Sequence, residues 1–485
     1  EKFMEENMKK KYALLSVLLL LMVIILPVLA ACDNDSGTTD SQGRTKIRFW
    51  YWGSLAEKKV YEELMDRYME ENENVIIVPT HYESSIYMTN FQGENPKPDV
   101  FFMPDTDFLS WADAGIMEDL LPYCTQEELN SVWPKAMDEY YYDVETHTLG
   151  KSANAKLYGF PKDLGPVTLV YNETLLDKQI AANGLNKQDV YKLLDPRTPM
   201  TWAQFTQLLV DLTKDQKGLS KADRIYGIPY YEMDACLYSN NANYFYENAT
   251  KQGIDNNFIQ AVAFNIQLAT VKDVRPDADF SGSTDAYTRF LSNKSIFTWM
   301  GPWDNADFWD YKSLKYNIVP VPYGPAEGAQ SVSFVGSMCY GVSAKSKVKE
   351  EAVKFAKWLS MSKSCQQLSV SLGQQVPNLI EMVNDYVSAD WDVQPANRSG
   401  FIAIIDDHTD SLGLYAASGK KDMVSGKTRA LYYTYDSTWR TNLLNYLNTS
   451  EAWKMKSTED ITNLLINYRS QLQSDLDNMN KRFKN

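Results

Sequence analysis

Residues 46–78 constrain the fold most. Lys46 to Trp52 reads Lys-Ile-Arg-Phe-Trp-Tyr-Trp, an apolar and aromatic run ended by Gly53, which fits a strand. Ser54 and Glu57 follow at Ser-x-x-Glu spacing, the capping box that opens a helix. Val60, Leu64 and Tyr68 then put an apolar stripe on one face of that helix, which is expected to run to about Glu71. Val75 to Val78 is a second β-branched run, closed by Pro79. Strand, helix and strand in that order predict a parallel sheet covered by helices. Ligands of such sheets bind beyond the carboxyl ends of the strands. Trp52 stands at the end of the first strand, and Ser84 and Ser85 follow the second.

The same punctuation continues. Pro98-Asp99-Val100-Phe101-Phe102-Met103-Pro104 reads as a third strand with Asp105 just past its end. Phe108, Trp111 and Ala112 lie on a following helix that Gly115 stops. Midway along the chain, Tyr158-Gly159-Phe160-Pro161 leads into a polar turn, Lys162-Asp163, and then a β-branched run, Val167 to Tyr171. That turn reads equally as an ordinary loop before a strand and as a crossover between two lobes. Thr201 is a good N-cap for a helix carrying Trp202, Phe205, Leu208, Leu209 and Leu212. Gly301-Pro302-Trp303-Asp304 is a turn in which Gly and Pro restrict the backbone and a Trp projects. Tyr316 to Val321 is strand-like, Ser331 to Ser343 reads as a strand around Gly336 and Gly341, and Lys347 to Ser360 is an amphipathic helix.

Composition excludes several function classes. The chain has 485 residues and a formal net charge of -15, so a phosphate backbone is not its partner, because that needs a basic surface. Three histidines, His81, His147 and His408, are too scattered for metal or His-based catalysis. Cys124, Cys236, Cys339 and Cys365 show no CxxC spacing and read as buried thiols. The 31 Tyr and 12 Trp must largely fill a core, and their surplus suits a cleft that stacks ligands on rings. No Gly-x-Ser-x-Gly, His-Glu-x-x-His or phosphate loop occurs.

At the N-terminus, Lys9, Lys10 and Lys11 precede an uncharged run from Tyr12 to Ala31. This is the pattern of a secretory signal, with a retained membrane helix as the competing reading. Leu29-Ala30-Ala31-Cys32 resembles the lipobox of bacterial lipoproteins. Residues 1–31 are then a signal peptide, Cys32 is the lipidated N-terminus, and 32–45 is a flexible polar tether. Either reading places the remainder outside the cytoplasm.

Taken in order, several segments resemble extracellular solute-binding proteins of family 1, the maltose and multiple-sugar type that serve ATP-binding-cassette importers. They are Phe49-Trp50-Tyr51-Trp52; Pro98-Asp99-Val100; Tyr158 to Asp163 with Tyr171-Asn172; Thr201-Trp202 with Phe205; Gly301-Pro302-Trp303; and the helix from Ser343 to Leu359. The resemblance implies an α/β, two-lobed, periplasmic-binding-protein-like fold of type II, each lobe a mostly parallel sheet flanked by helices. It implies lobe 1 over 46–165 and 319–362 and lobe 2 over 166–318 and 363–485. The chain would cross near Leu164–Thr168, near Tyr316–Val319 and after Leu359. It also implies cleft roles for Trp52, Asp105, Asp163, Tyr231, Glu232 and Trp303.

Those residue types suit a sugar, which offers C–H faces to rings and hydroxyls to charged acceptors. The expected partners are a carbohydrate, permease subunits and, through the lipid anchor, a membrane, with the protein a monomer and free of cofactors. No metal is expected. Lys217 and Leu219 occupy ligand places in the calcium-type loop Asp215 to Asp223, and Thr288 stands where an EF-hand needs Glu after Asp277, Asp279 and Asp285. A surface-anchored carbohydrate-active enzyme, whose paired carboxylates would cleave oligosaccharides, and a sensor lipoprotein without a small ligand are the rival readings.

Overall fold

Bulky side chains on both faces make Thr45–Trp52 and Val100–Pro104 central strands rather than edges. The computed structural model describes residues 37–481 apart from 105–106, 164, 247–249, 278–283, 337, 389–393 and 409–439. Thr45–Trp52 pairs in parallel with Val75–Tyr82 from Thr45 opposite Val75 to Trp52 opposite Tyr82. Val100–Pro104 lies parallel on its other side. Met338–Val342 joins that strand antiparallel, and Phe160–Pro161 pairs with it in turn.

The helix after the first strand is capped as its spacing predicts. The Ser54 side chain accepts the Glu57 N–H, and Glu57 accepts the Ser54 N–H. Val60, Leu64 and Tyr68 are buried, with Tyr61 and Met65 widening the stripe. The helix Lys349–Met361 buries Ala352, Phe355 and Leu359 against the same sheet. Phe49 meets the rings of Tyr51, Phe102 and Phe355 at 5.1, 5.8 and 5.3 Å. The hydroxyls of Tyr61 and Tyr340 bond to each other at 2.9 Å. A large part of the aromatic content is thus lobe core.

The second sheet is built around Gly165–Asn172. Phe297–Met300 and Tyr316–Val319 flank it, both antiparallel, and Phe334–Gly336 pairs with its first three residues. A mostly parallel sheet in each lobe therefore does not describe this one. Its outer strands arrive from far along the chain, with no strand–helix–strand unit to impose a parallel sense.

The implied boundaries also move. Tyr316–Val319 lies in the second sheet along its whole length, and Tyr323 and Val332 still contact Thr201 and Ser239. The chain changes sheet between Gly336 and Met338, not near Val319. The helix Lys363–Ser371 packs on Leu55–Glu71 of the first lobe, where Ser364 Oγ bonds Glu71, so 363 does not open the second lobe. Only later does Asn397 bond Ile318 and Ser399–His408 pack on the second sheet.

The expected tether is shorter than 32–45, because residues 38–45 form a turn on the domain. Asp40 accepts from Gln42 N–H, Arg44 N–H and Arg44 Nε, Gly43 supplies the positive φ, and Lys46 N–H reaches Thr38 O. Residues 1–36, with the signal peptide and Cys32, lie outside the described residues. Among the described residues no helix is long and apolar enough to cross a membrane. Cys236, Cys339 and Cys365 are buried thiols outside any disulfide, and Cys124 is partly buried.

At the C-terminal end, Thr458–Asn480 buries Ile461, Leu465, Tyr468, Leu472, Leu476 and Met479 and packs on Asn256–Thr270. That is the helical period the sequence of the tail carries.

Asn378 ties the first crossing to the helix behind it. Its Nδ2 donates to the carbonyls of Pro161, Lys162 and Ser360 at 3.0, 3.1 and 3.3 Å, all out of water. Asn378→Ala should cost about 1–3 kcal/mol, the price of leaving buried groups unpaired. Urea unfolding checks this, with a lower midpoint at unchanged slope as the expected outcome.

Candidate functional site

The two sheets meet where strands end. Trp52 closes the first strand, and its ring lies 4.5 Å from Tyr87 and 5.2 Å from Phe102. Lys162 follows Phe160–Pro161, with its Nζ 5.8 Å from the Phe102 ring and 6.0 Å from the Trp303 ring. Trp303 comes from the turn after Phe297–Met300 of the second sheet. Trp52, Lys162–Asp163 and Trp303 are therefore brought together at the carboxyl ends of strands from both lobes, and Trp52 and Trp303 are both partly exposed.

Two glycines set the Trp303 ring. A Cβ on Gly301 would fall 2.3 Å from that ring, so the indole folds back over a bare Cα. A Cβ on Gly165 would fall 2.5 Å from Pro302, so the crossing strand and the Gly-Pro-Trp turn approach each other only because position 165 has no side chain.

The polar groups are mostly carboxylates. Asp163 is buried and accepts from Lys162 Nζ at 2.8 Å. Burial pushes its pKa up, and the Lys162 ammonium partly offsets this. Asp304 Oδ2 accepts the Gly301 N–H at 2.8 Å. Burial pushes Asp304 up to about 8; the Gly301 N–H opposes the rise, and Glu57 and Asp307 add to it. Asp307 is raised by burial and lowered by the Ser54 hydroxyl of the other lobe. Glu57 is held in turn by Gln374 Nε2 at 3.1 Å. Acceptors from both lobes thus face one another.

The remaining expected residues divide. Tyr231 is not at the cleft. It is buried among Phe205, Phe264 and Trp299, at 6.0, 5.4 and 5.2 Å between rings. Successive side chains of an extended segment point to opposite sides. With Tyr231 inward, Tyr230 and Glu232 share the other side, where burial and then the Glu232 carboxylate push the Tyr230 hydroxyl up. Asp304 also acts on the Tyr230 hydroxyl, which places this pair near the Trp303 turn. Glu232 is raised chiefly by burial and then by Asp234, while Arg440 and the Tyr230 hydroxyl oppose the rise. Asp105 lies outside the described residues.

Sequence reasoning passed over Tyr230, Asp304, Asp307 and Arg440. The first two adjoin residues it named. Asp307 and Arg440 carry no local signal.

In the calcium-type loop, Asp215 is taken by amide donors from Gln179, Asn183 and Gln216. Asp277 pairs with Lys221, and Asp285 caps Thr288. A polar groove of about 440 Å³ lies elsewhere, beside Gln252, Arg469 and Gln473, with no aromatic ring in its lining.

Two α/β lobes with a ring-and-carboxylate junction define a two-lobed binding protein, and the comparisons agree. The chain belongs to the bacterial extracellular solute-binding protein family, whose model matches residues 52–363. It is 21% identical over 350 residues to the maltotriose-binding protein of Pyrococcus abyssi, covering 71% of this chain and 68% of that one. Two solved structures share the fold. An ABC substrate-binding protein from Listeria monocytogenes in complex with cycloalternan has a TM-score of 0.65 at 18% identity, over 90% of this chain and 99% of that one. The maltose/maltodextrin-binding domain from Bdellovibrio bacteriovorus bound to maltotriose has a TM-score of 0.63 at 17% identity, over 90% and 100%. These neighbours are periplasmic-binding-protein-like, as expected. The family is one of extracellular solute-binding proteins, which is an extracytoplasmic class.

Asp304 gives a pH test. Its proton affinity is raised by folding, so its stabilising contribution is complete below the ordinary carboxylate range and is lost as pH rises through about 8. Asp304→Asn, uncharged throughout, should melt like the parent near pH 3 and above it at pH 9. The gain is about 2–4 °C per kcal/mol relieved. Equal melting at pH 9 would remove Asp304 from the strained set.

Proposed function

We propose that the protein captures a carbohydrate between its lobes and delivers it, unchanged, to the permease of an ATP-binding-cassette importer. The observation that carries this reading is that Trp303 lies against the Lys162–Asp163 pair, and Trp52 against Phe102 on the other side of Lys162, where strands of both sheets end. Sugar C–H faces pack on such rings, and sugar hydroxyls donate to buried carboxylates. Trp303 is the platform, with Trp52 opposite, and Asp163, Glu232 and Asp304 are the acceptors. Two partly exposed indoles, Trp52 and Trp303, suit an oligosaccharide. The printed ligands of the relatives, maltotriose and cycloalternan, support the same class. Lipidation at Cys32 would hold the protein at the outer face of the membrane, as a monomer serving membrane-embedded permease subunits.

The test is a melting assay of the protein against a panel of neutral oligosaccharides. A ligand at 100 times its Kd adds about 2.7 kcal/mol. That corresponds to a rise of about 5–10 °C. Trp303→Ala should abolish the rise, and an undiminished shift in that variant would remove the ring from the site.

Lys162 is paired with Asp163, whereas Glu57, Asp304 and Asp307 crowd one another. Sugars bearing carboxylate, sulfate or phosphate should therefore give no shift where their neutral counterparts do. Equal shifts for the charged forms would show that these acids do not face the ligand.

A further inference from the structure

Arg440 belongs to no segment that the family match covers, since that match ends at residue 363. It stands at the start of helical residues 440–449, and its Nε lies 3.0 Å from Asp234 Oδ2. Asp234 is 3% exposed, and its other oxygen accepts the Tyr244 hydroxyl at 2.9 Å. Asp234 opens the helix Met233–Tyr238, and Glu232 is the residue just before that helix. Two carboxylates thus sit on one buried turn beside the cleft, where like charges disfavour each other.

The groups that act on Glu232 are Tyr230, Asp234 and Arg440, with the Cys236 thiol further along the helix. Arg440 is the one permanent cation among them. A guanidinium stays charged across the working pH range and holds a carboxylate in a fixed plane.

We propose that Arg440 is a positioning residue of the ligand cleft: by neutralising Asp234 it lets Glu232 carry its charge as an acceptor for a ligand hydroxyl. The C-terminal segment then completes the cleft wall, in addition to packing on the lobe. This rests on the carbohydrate reading only for the identity of the ligand. The pairing of Arg440 with Asp234, two residues from Glu232, is a property of the free protein.

The experiment has two arms. In the first, melting temperatures of the ligand-free parent, Arg440→Ala, Glu232→Gln and the double variant are compared at pH 6 and pH 8. Arg440→Ala should lose more at pH 8, where an uncompensated Glu232 would ionise. Glu232→Gln should restore most of that loss, and Arg440→Lys should keep the parent's profile. If Arg440→Ala loses the same amount at both pH values, with or without Glu232→Gln, Arg440 only packs and the proposal falls.

In the second arm, maltotriose affinity is measured by calorimetry from pH 6 to pH 8.5. Arg440→Ala should bind about tenfold more weakly at pH 6 and approach the parent as pH rises. A loss independent of pH overturns the proposal. If the parent binds neither maltotriose nor any panel sugar while the melting arm shows coupling, it is the carbohydrate reading that fails, and the charge-setting role stands.

Discussion

The buried pair Lys162–Asp163 is the interaction on which the two-lobed arrangement depends. Both side chains are out of water, and they sit where the chain leaves the first sheet for the second. Two desolvated charges are tolerated only when each completes the other, and removing one partner typically costs about 3–5 kcal/mol. The backbone around them is held as tightly. Lys162 N–H bonds Met338 O, Ser360 Oγ bonds Pro161 O, and Asn378 gathers the carbonyls beside them. The outward crossing at 161–165 and the return near 338 are thus stitched side by side. A junction of that kind keeps the lobes in register while leaving their far edges free to turn.

Much of the first lobe was legible because its signals are local. A capping box, an apolar stripe at four-residue intervals and two β-branched runs each need only a few neighbouring residues to be read. The structure returns them at Ser54, Val60, Leu64, Tyr68 and Val75. The second sheet was not legible in the same way. Whether Phe297–Met300 lies parallel or antiparallel to Gly165–Asn172 depends on a partner more than a hundred residues distant, and no periodicity records that. The return crossing was misplaced for the same reason. Tyr316–Val319 reads as a strand, but a strand's composition does not say which sheet it joins.

The site shows the same division. Trp303 could be singled out because Gly301 and Pro302 restrict the turn that presents it. Tyr231, named for the cleft, packs into the lobe core, while Tyr230 faces the other way. Adjacent tyrosines in an extended segment face opposite ways, and the packing of Phe205 and Phe264 selects the inward one. Arg440 meets Asp234 across 206 residues. It could only be found in three dimensions.

Ser54 offers one more lesson. A hydroxyl has one proton and two lone pairs. A lone pair serves the helix it begins, through Glu57 N–H, which leaves its proton free to turn toward the Asp307 carboxyl of the opposite lobe. The two roles use different parts of the same oxygen. Were the halves to swing apart, water would take the freed proton while the first turn of the helix stayed wound. The contact between the halves and the first turn of the helix therefore do not depend on each other.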